Sequence, residues 1–450
     1  MKKASLSFHR LSVLLCFSIF VSGCASYGTI RNDKVDSFVT GHQSYSVEAF
    51  NHRLSNKDTV ILLAFSGGGT RAAALSYGVL AELNDTMIEE NGNRHSLLDD
   101  VGIISSVSGG SFTAAYYGLH GKQIFQDFEP VFLRKNIERS LINNVLNPLT
   151  WFTRKSRTEY AIQYYDKEIF KGATFKDMMH KDRPMVLINA TDLSKGVRFS
   201  FMQEYFNLLC SDLNNFSISR AVTASSAVPL LFNPVVVANH SGCIDRIPRW
   251  LIEARERGKT DPELALLVSG LESFFKKEQH QYAHFVDGGI TDNLGLRSIF
   301  DITNLLGGAK ATNEAFNITP PKRMIVISVD ASTNPDYGIA NSPNPPGIVK
   351  TVNAMTDIQL HRYNTETLNV LQYATTKWGE EISEHGEQVE SHFVTLGFDD
   401  INNDEIKQRL NEIPTSFSLT NDQVDLLIET GRSLLRDNPM FIKAIESMDK

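Results

Sequence analysis

Short, uninterrupted apolar runs alternate with helix-spaced ones along most of this chain. Residues 59–65, TVILLAF, are continuously β-branched or apolar, the pattern of a strand covered on both faces. Residues 103–106 read as the end of a second buried strand, and residues 185–193, 197–201, 233–239 and 323–331 as further strands. Between them, residues 72–84 and 111–118 carry helical spacing. Longer amphipathic stretches at 351–378 and 420–436 follow a proline-rich break at 340–350. Strands alternating with helices in this way predict an α/β fold on a largely parallel sheet.

Two strand ends run straight into glycine and then helix. Behind residues 59–65 come Gly67, Gly68, Gly69 and Arg71. A glycine loop that opens a helix offers free backbone N–H groups and the positive end of the helix dipole to an anion. The anion could be a phosphate or a transient oxyanion. The run lacks the Gly-Lys-Ser/Thr ending of a phosphate loop, and Ala72 stands where a dinucleotide fingerprint needs glycine. Behind residues 103–106 comes Ser108, followed by Gly109 and Gly110. A serine on a sharp strand-to-helix turn is a nucleophile elbow, with its hydroxyl held clear at a helix N-terminus. A third strand end, residues 284–286, leads to Asp287, Gly288 and Gly289. A carboxylate fixed there can take the serine proton with no histidine between them.

In order and spacing these elements resemble the patatin-like phospholipase family. The match consists of Gly67-Gly68-Gly69-Thr70-Arg71, Ser106-Val107-Ser108-Gly109-Gly110 and Asp287-Gly288-Gly289, with a small-residue stretch at 220–235. It spans roughly residues 58–335, and the run at 410–419 is similar to the tail of bacterial lipoprotein members. The resemblance implies a three-layer α/β/α fold with C-terminal helices and a Ser108–Asp287 dyad. It further implies an oxyanion hole from Gly68 and Gly69, with Gly67 shaping the turn and Arg71 orienting the loop, and chemistry that needs no metal or organic cofactor. Two positions depart from the pattern: Ser106 replaces the first glycine of the elbow, and Ala72 replaces a common last glycine of the loop. Either would matter only where φ must be positive.

The N-terminus reads as an export signal. Lys2, Lys3 and Arg10 precede an apolar stretch at residues 11–21, too short to span a bilayer. The ending Val21-Ser22-Gly23-Cys24 resembles a bacterial lipobox, which would make Cys24 the lipidated first residue; residue 25 is Ala and not Asp, so by resemblance the destination is the outer membrane. Removing residues 1–23 leaves 41 basic residues against 52 acidic ones, a net charge of −11. That balance argues against nucleic acid and against polybasic attraction to lipid, so membrane proximity rests on the anchor. Cys210 and Cys243 remain; in an oxidising compartment they could pair or stay as buried thiols, and the sequence leaves both open. The expected organisation is a signal at 1–23, a tether and lead-in at 24–57, a catalytic domain at 58–335, and a helical extension at 336–450 packed on the core.

Composition is that of a globular enzyme, 42% hydrophobic and 21% charged. Among the twelve histidines none has metal-ligand spacing, and His284 reads as a supporting residue beside Asp287. Residues 244–278 could form a lid or a membrane-facing helix pair, with a surface helical insertion of one buried stripe the plainer reading, and Trp151-Phe152 could line an acyl pocket or dip into lipid, with ordinary core the default. The leading function is a lipid acyl hydrolase acting on phospholipids or lysophospholipids. Its alternatives are a general carboxylesterase or thioesterase and a catalytically silent envelope lipid-binding protein.

Overall fold

The computed structural model describes residues 29–448 except 91, 140–155, 230, 244–246, 335–338, 342 and 384–387. The signal segment, Cys24 and Trp151-Phe152 lie outside the described residues. Eight strands form the central sheet: β1 Thr59–Phe65, β2 Val101–Val107, β3 Met185–Asp192, β4 Val197–Ser200, β5 Val235–Ala238, β6 Tyr282–Asp287, β7 Arg323–Asp330 and β8 Glu390–Gly397. Their order is β8-β7-β1-β2-β3-β6-β5, with β4 also paired to β3. The run from β8 to β3 is parallel; β3 then pairs antiparallel with both β4 and β6, and β6 antiparallel with β5.

Alternation along β1 shows how the layers are built. Ile61, Leu63 and Phe65 face a core made with helices α1 (Gly69–Asp85) and α2 (Gly109–His120), while Val60, Leu62 and Ala64 face another. Because both faces are covered, every residue of β1 is buried, which is why its sequence is an unbroken apolar run. Helix α3 (Ile218–Ser225) packs on β3 and β6. The second face is covered by α4 (Leu296–Leu306) and the later turns of α5 (Ile348–Ile382), through Ile299, Leu371 and Trp378. Helix α6 (Asn421–Arg436) lies on α1 at glycine-permitted closeness: a Cβ on Gly431 would stand 2.3 Å from the Leu75 carbonyl oxygen. The result is the expected three-layer α/β/α arrangement on a largely parallel sheet.

Three expectations change in detail. The helices are longer than their periodic stretches, because α1 and α2 begin inside the glycine turns. The C-terminal extension is more than helical: β8 extends the sheet at its edge, aligned with β7 from Arg323↔Glu390 to Asp330↔Gly397. Its burial alternates, with His392, Val394 and Leu396 turned inward, as an edge strand requires. Nor is the lead-in a free tether from residue 32 onward. Asn32 binds the Ala238 backbone on both sides (2.8 and 2.9 Å), and the fully buried Tyr45 exchanges hydrogen bonds with Val186 at the start of β3.

Residues 249–257 and 262–273 form two helices whose Leu251, Ala254, Leu264, Leu267 and Leu271 pack inward, leaving Leu266 69% exposed. They sit against α4, as a surface insertion with one buried stripe does. Among the described residues, no helix is long and apolar enough to cross a membrane.

Cys210 and Cys243 are joined in a disulfide, Cα–Cα 5.4 Å, across 33 residues of chain. Closing a loop of that length restricts the unfolded chain, so reduction is expected to lower the unfolding free energy by about 3–4 kcal/mol. Urea unfolding with and without reductant, checked against Cys210→Ser/Cys243→Ser, measures it; identical midpoints would contradict the expectation.

Candidate active site

The parallel strands β1 and β2 end side by side, Phe65 opposite Ser106, and each delivers a helix N-terminus to the same point. Val107 in turn lies beside Asn189 of β3, and Asp287, the last residue of β6, pairs with Ala190. Three loops that are remote in sequence thus meet at one end of the sheet.

Ser108 occupies the elbow with φ 49° and ψ −119°, a conformation that a side chain rarely adopts. The turn is tight because the backbones touch: a Cβ on Gly109 would fall 1.9 Å from the Gly69 carbonyl oxygen, and one on Gly110 2.7 Å from that of Ser66. Neither departure from the family pattern sits in the left-handed region. Ser106 lies in regular strand and donates its hydroxyl to the Leu187 carbonyl (3.0 Å), while Ala72 is buried inside α1.

The glycine loop needs its glycines at Gly68 (φ 137°) and Gly69 (φ 60°). Gly67 donates its amide to the Asn293 carbonyl (2.9 Å), and Thr70 donates to Ser416 (2.9 Å). The amides of Gly68, Gly69 and Gly109 donate to no backbone carbonyl among the described residues. They are the donors left for an anion beside Ser108. Arg71 is buried, and its guanidinium is engaged by other segments of the chain. Its Nε donates to the Ala331 carbonyl (2.8 Å), Nη1 to the Ile413 carbonyl (2.6 Å) and Nη2 to Thr415 Oγ1 (3.0 Å). Burial pushes its guanidinium down to about 10, partly offset by the charges of Asp330 and Asp357.

Asp287 is 8% exposed and accepts the Gly289 amide at Oδ1 (2.8 Å), with the Ser108 side chain near enough to its carboxyl to influence it. Burial raises its pKa to about 6 against the opposing pull of the Gly289 amide and the Ser108 hydroxyl. Gly288 and Gly289 complete the turn, and the Gly288 amide donates to Ser225 (3.1 Å). His284 stands three residues earlier on the strand, which puts its side chain on the opposite face from Asp287.

Two supporting residues escaped the sequence reading. Ser225, at the end of α3, accepts the Ser108 amide at its hydroxyl (2.8 Å) and donates to the Asn189 carbonyl (2.6 Å). Its own carbonyl takes the Gly288 amide, and that of Ala227 takes the Asp287 amide (3.1 Å), so residues 225–227 align serine and aspartate together. The small-residue stretch at 220–235 pointed to this region but not to one residue. Asn293 has its Oδ1 2.8 Å from where a Gly67 Cβ would be and 3.2 Å from a Gly289 Cβ, between loop and aspartate. Its Nδ2 donates to Ser332 Oγ (3.1 Å).

Away from this place, Glu90, His95 and Asp100 bring ligand atoms within 4.8 Å of one another. Glu90 is engaged by Arg323 and Thr59, and Asp100 by Lys57 and His95, so the cluster is an ion-pair network. An apolar cavity of about 110 Å³ on the second face of the sheet, lined by Leu62, Ile103, Ile299, Met324 and Trp378, touches none of the site residues.

The family model described as patatin-like phospholipase matches residues 63–300. Among solved structures, VipD from Legionella pneumophila aligns at 11% identity over 96% of this chain and 73% of its own, with a TM-score of 0.31. Human GIVD cytosolic phospholipase A2 aligns at 11% identity over 95% and 69%, with a TM-score of 0.34. No curated protein matches the sequence.

Proposed function

Because the chain belongs to the patatin-like phospholipase family, we propose that it hydrolyses carboxylic ester bonds of phospholipids or lysophospholipids through a Ser108–Asp287 dyad. One observation carries the reading: the serine on the strained elbow shares one end of the sheet with the buried Asp287 carboxyl and stands beside amides without backbone acceptors among the described residues.

Each step follows from a residue in place. Ionised Asp287 takes the proton from Ser108 Oγ as that oxygen attacks the acyl carbonyl. The tetrahedral oxyanion takes up the amides of Gly68 and Gly69, with that of Gly109 beside them. The alcohol leaves with the proton from Asp287, which leaves Ser108 acylated. Water then gives its proton to Asp287, attacks the ester, and the fatty acid departs as Ser108 regains its proton. Turnover of phospholipid and lysophospholipid vesicles against simple esters and thioesters tests the substrate class; preference for the simple esters or thioesters would favour the carboxylesterase or thioesterase alternative.

The proposal extends to location: a bacterial cell envelope, with the chain anchored by lipidated Cys24, at the outer membrane. Its support is the sequence of residues 1–25. Full-length protein made in a Gram-negative host is expected to enter the detergent phase on Triton X-114 partition, and Cys24→Ser to leave it. A wild-type chain in the aqueous phase would contradict the anchor.

A further inference from the structure

The glycine loop is gripped by a segment more than one hundred residues beyond the region that the family model matches. Residues 413–417 pass directly over it, between a helix at Asp404–Asn411 and α6. Thr70 donates its amide to the Ser416 carbonyl, and that same oxygen lies 2.5 Å from where a Gly69 Cβ would be. Arg71 places one guanidinium nitrogen on the Ile413 carbonyl and another on the Thr415 hydroxyl. The crossing segment is itself braced: the Ser416 hydroxyl bonds both the amide and the carbonyl of Ser418 (2.9 Å each), and Phe417 packs edge-on against Phe112 of α2. Pro414 fixes φ between the two acceptors offered to Arg71.

These contacts have an electrostatic peculiarity. Arg71 is buried, yet all three of its hydrogen-bond acceptors are neutral oxygens, and among the described residues no carboxylate is in salt-bridge contact with it. A buried cation whose hydrogen bonds all go to neutral acceptors tolerates little movement of any of them. Arg71 is the third residue of α1 and Gly69 the first, so a shift of the guanidinium is passed within one turn to the amides of Gly68 and Gly69. Of the three acceptors that Arg71 donates to, only Thr415 contributes through its side chain.

We propose that residues 413–416 are a strap that aims the oxyanion amides, with Thr415 as a positioning residue acting through Arg71. This rests on the lipid acyl hydrolase reading. Thr415→Val removes the acceptor at nearly constant shape, and Thr415→Ser restores it. The assay is kcat and KM on a soluble short-chain ester, per site titrated with fluorophosphonate. It is joined by the inhibition constant of a trifluoromethyl ketone, whose hemiketal carries the oxyanion. For Thr415→Val, kcat falls about ten-fold with KM unchanged, and ketone affinity weakens by the same factor. Thr415→Ser stays close to wild type. A folded Thr415→Val with wild-type kcat and ketone affinity overturns the strap, as does a loss confined to the number of titratable sites. Should the valine chain not fold, Thr415→Ala is read in the same way. A wild type that neither labels nor turns over ester overturns the hydrolase reading itself, and the strap with it.

Discussion

Ser108→Ala, purified without residues 1–24, is expected to take up no fluorophosphonate and to hydrolyse esters at least about 10⁴-fold more slowly than wild type. The loss falls on chemistry and not on folding. Ser108 makes no side-chain cap to its own helix, and its backbone amide keeps the bond to Ser225 whatever side chain stands there. The variant should therefore unfold at about the wild-type temperature. A labelled, active Ser108→Ala would remove the elbow serine from the reaction. A folded wild type that resists the probe, alone and in detergent micelles, would favour the silent lipid-binding alternative.

Asp287→Asn is the second large effect, a loss of about 10³–10⁴-fold in turnover. The amide keeps the shape and accepts from Gly289, but it cannot take the serine proton. The wild-type pH profile follows from the same carboxyl. With a pKa of about 6 it is protonated and idle below that value, so kcat/KM is expected to rise roughly ten-fold per pH unit up to about pH 6 and then level. Stability runs the other way. The folded pKa lies above the ordinary 3.8, so protonation favours the fold; that contribution is complete below about pH 4 and is lost as pH rises toward 6. Asparagine mimics the protonated form and should stabilise the chain at pH 7 by up to about 3 kcal/mol. A pH-rate titration and parallel urea melts check both signs. An Asp287→Asn enzyme with wild-type turnover would end the dyad and require another base.

Glu204 shows that a raised pKa by itself does not mark a site. Burial lifts it to about 7, yet it lies in the helix Gln203–Leu208 and binds the Val47 amide. Asp287 differs because it lies at the same end of the sheet as the strained Ser108 elbow and its open amides. Desolvation is common to both; only the partners are particular.

Where a residue's role is local, it was legible along the chain. Residues 59–65 had to be a doubly covered strand because no polar position interrupts them, and Ser108 and Asp287 stood out because each follows a strand and precedes glycine. The edge strand at 390–397 was harder. Only alternate residues of it are buried, so its signal is half as dense and sits among long helices. Ser225 and Asn293 carried no local mark at all, since a serine in a small-residue helix and an asparagine after a turn are ordinary.

The sequence by itself determined the α/β alternation and singled out the three strand-to-glycine turns at 65–71, 107–110 and 286–289, because hydrophobic period and turn chemistry act over a few residues. Only the tertiary structure decided the rest. It joined Cys210 to Cys243, set Ser225 against the backbone of both the Ser108 and Gly288 turns across 117 residues from Ser108, and laid residues 413–417 over the loop at 67–71. Such pairings depend on which surfaces meet when the layers close. A hydrogen bond between residues hundreds of positions apart leaves no periodicity in either stretch.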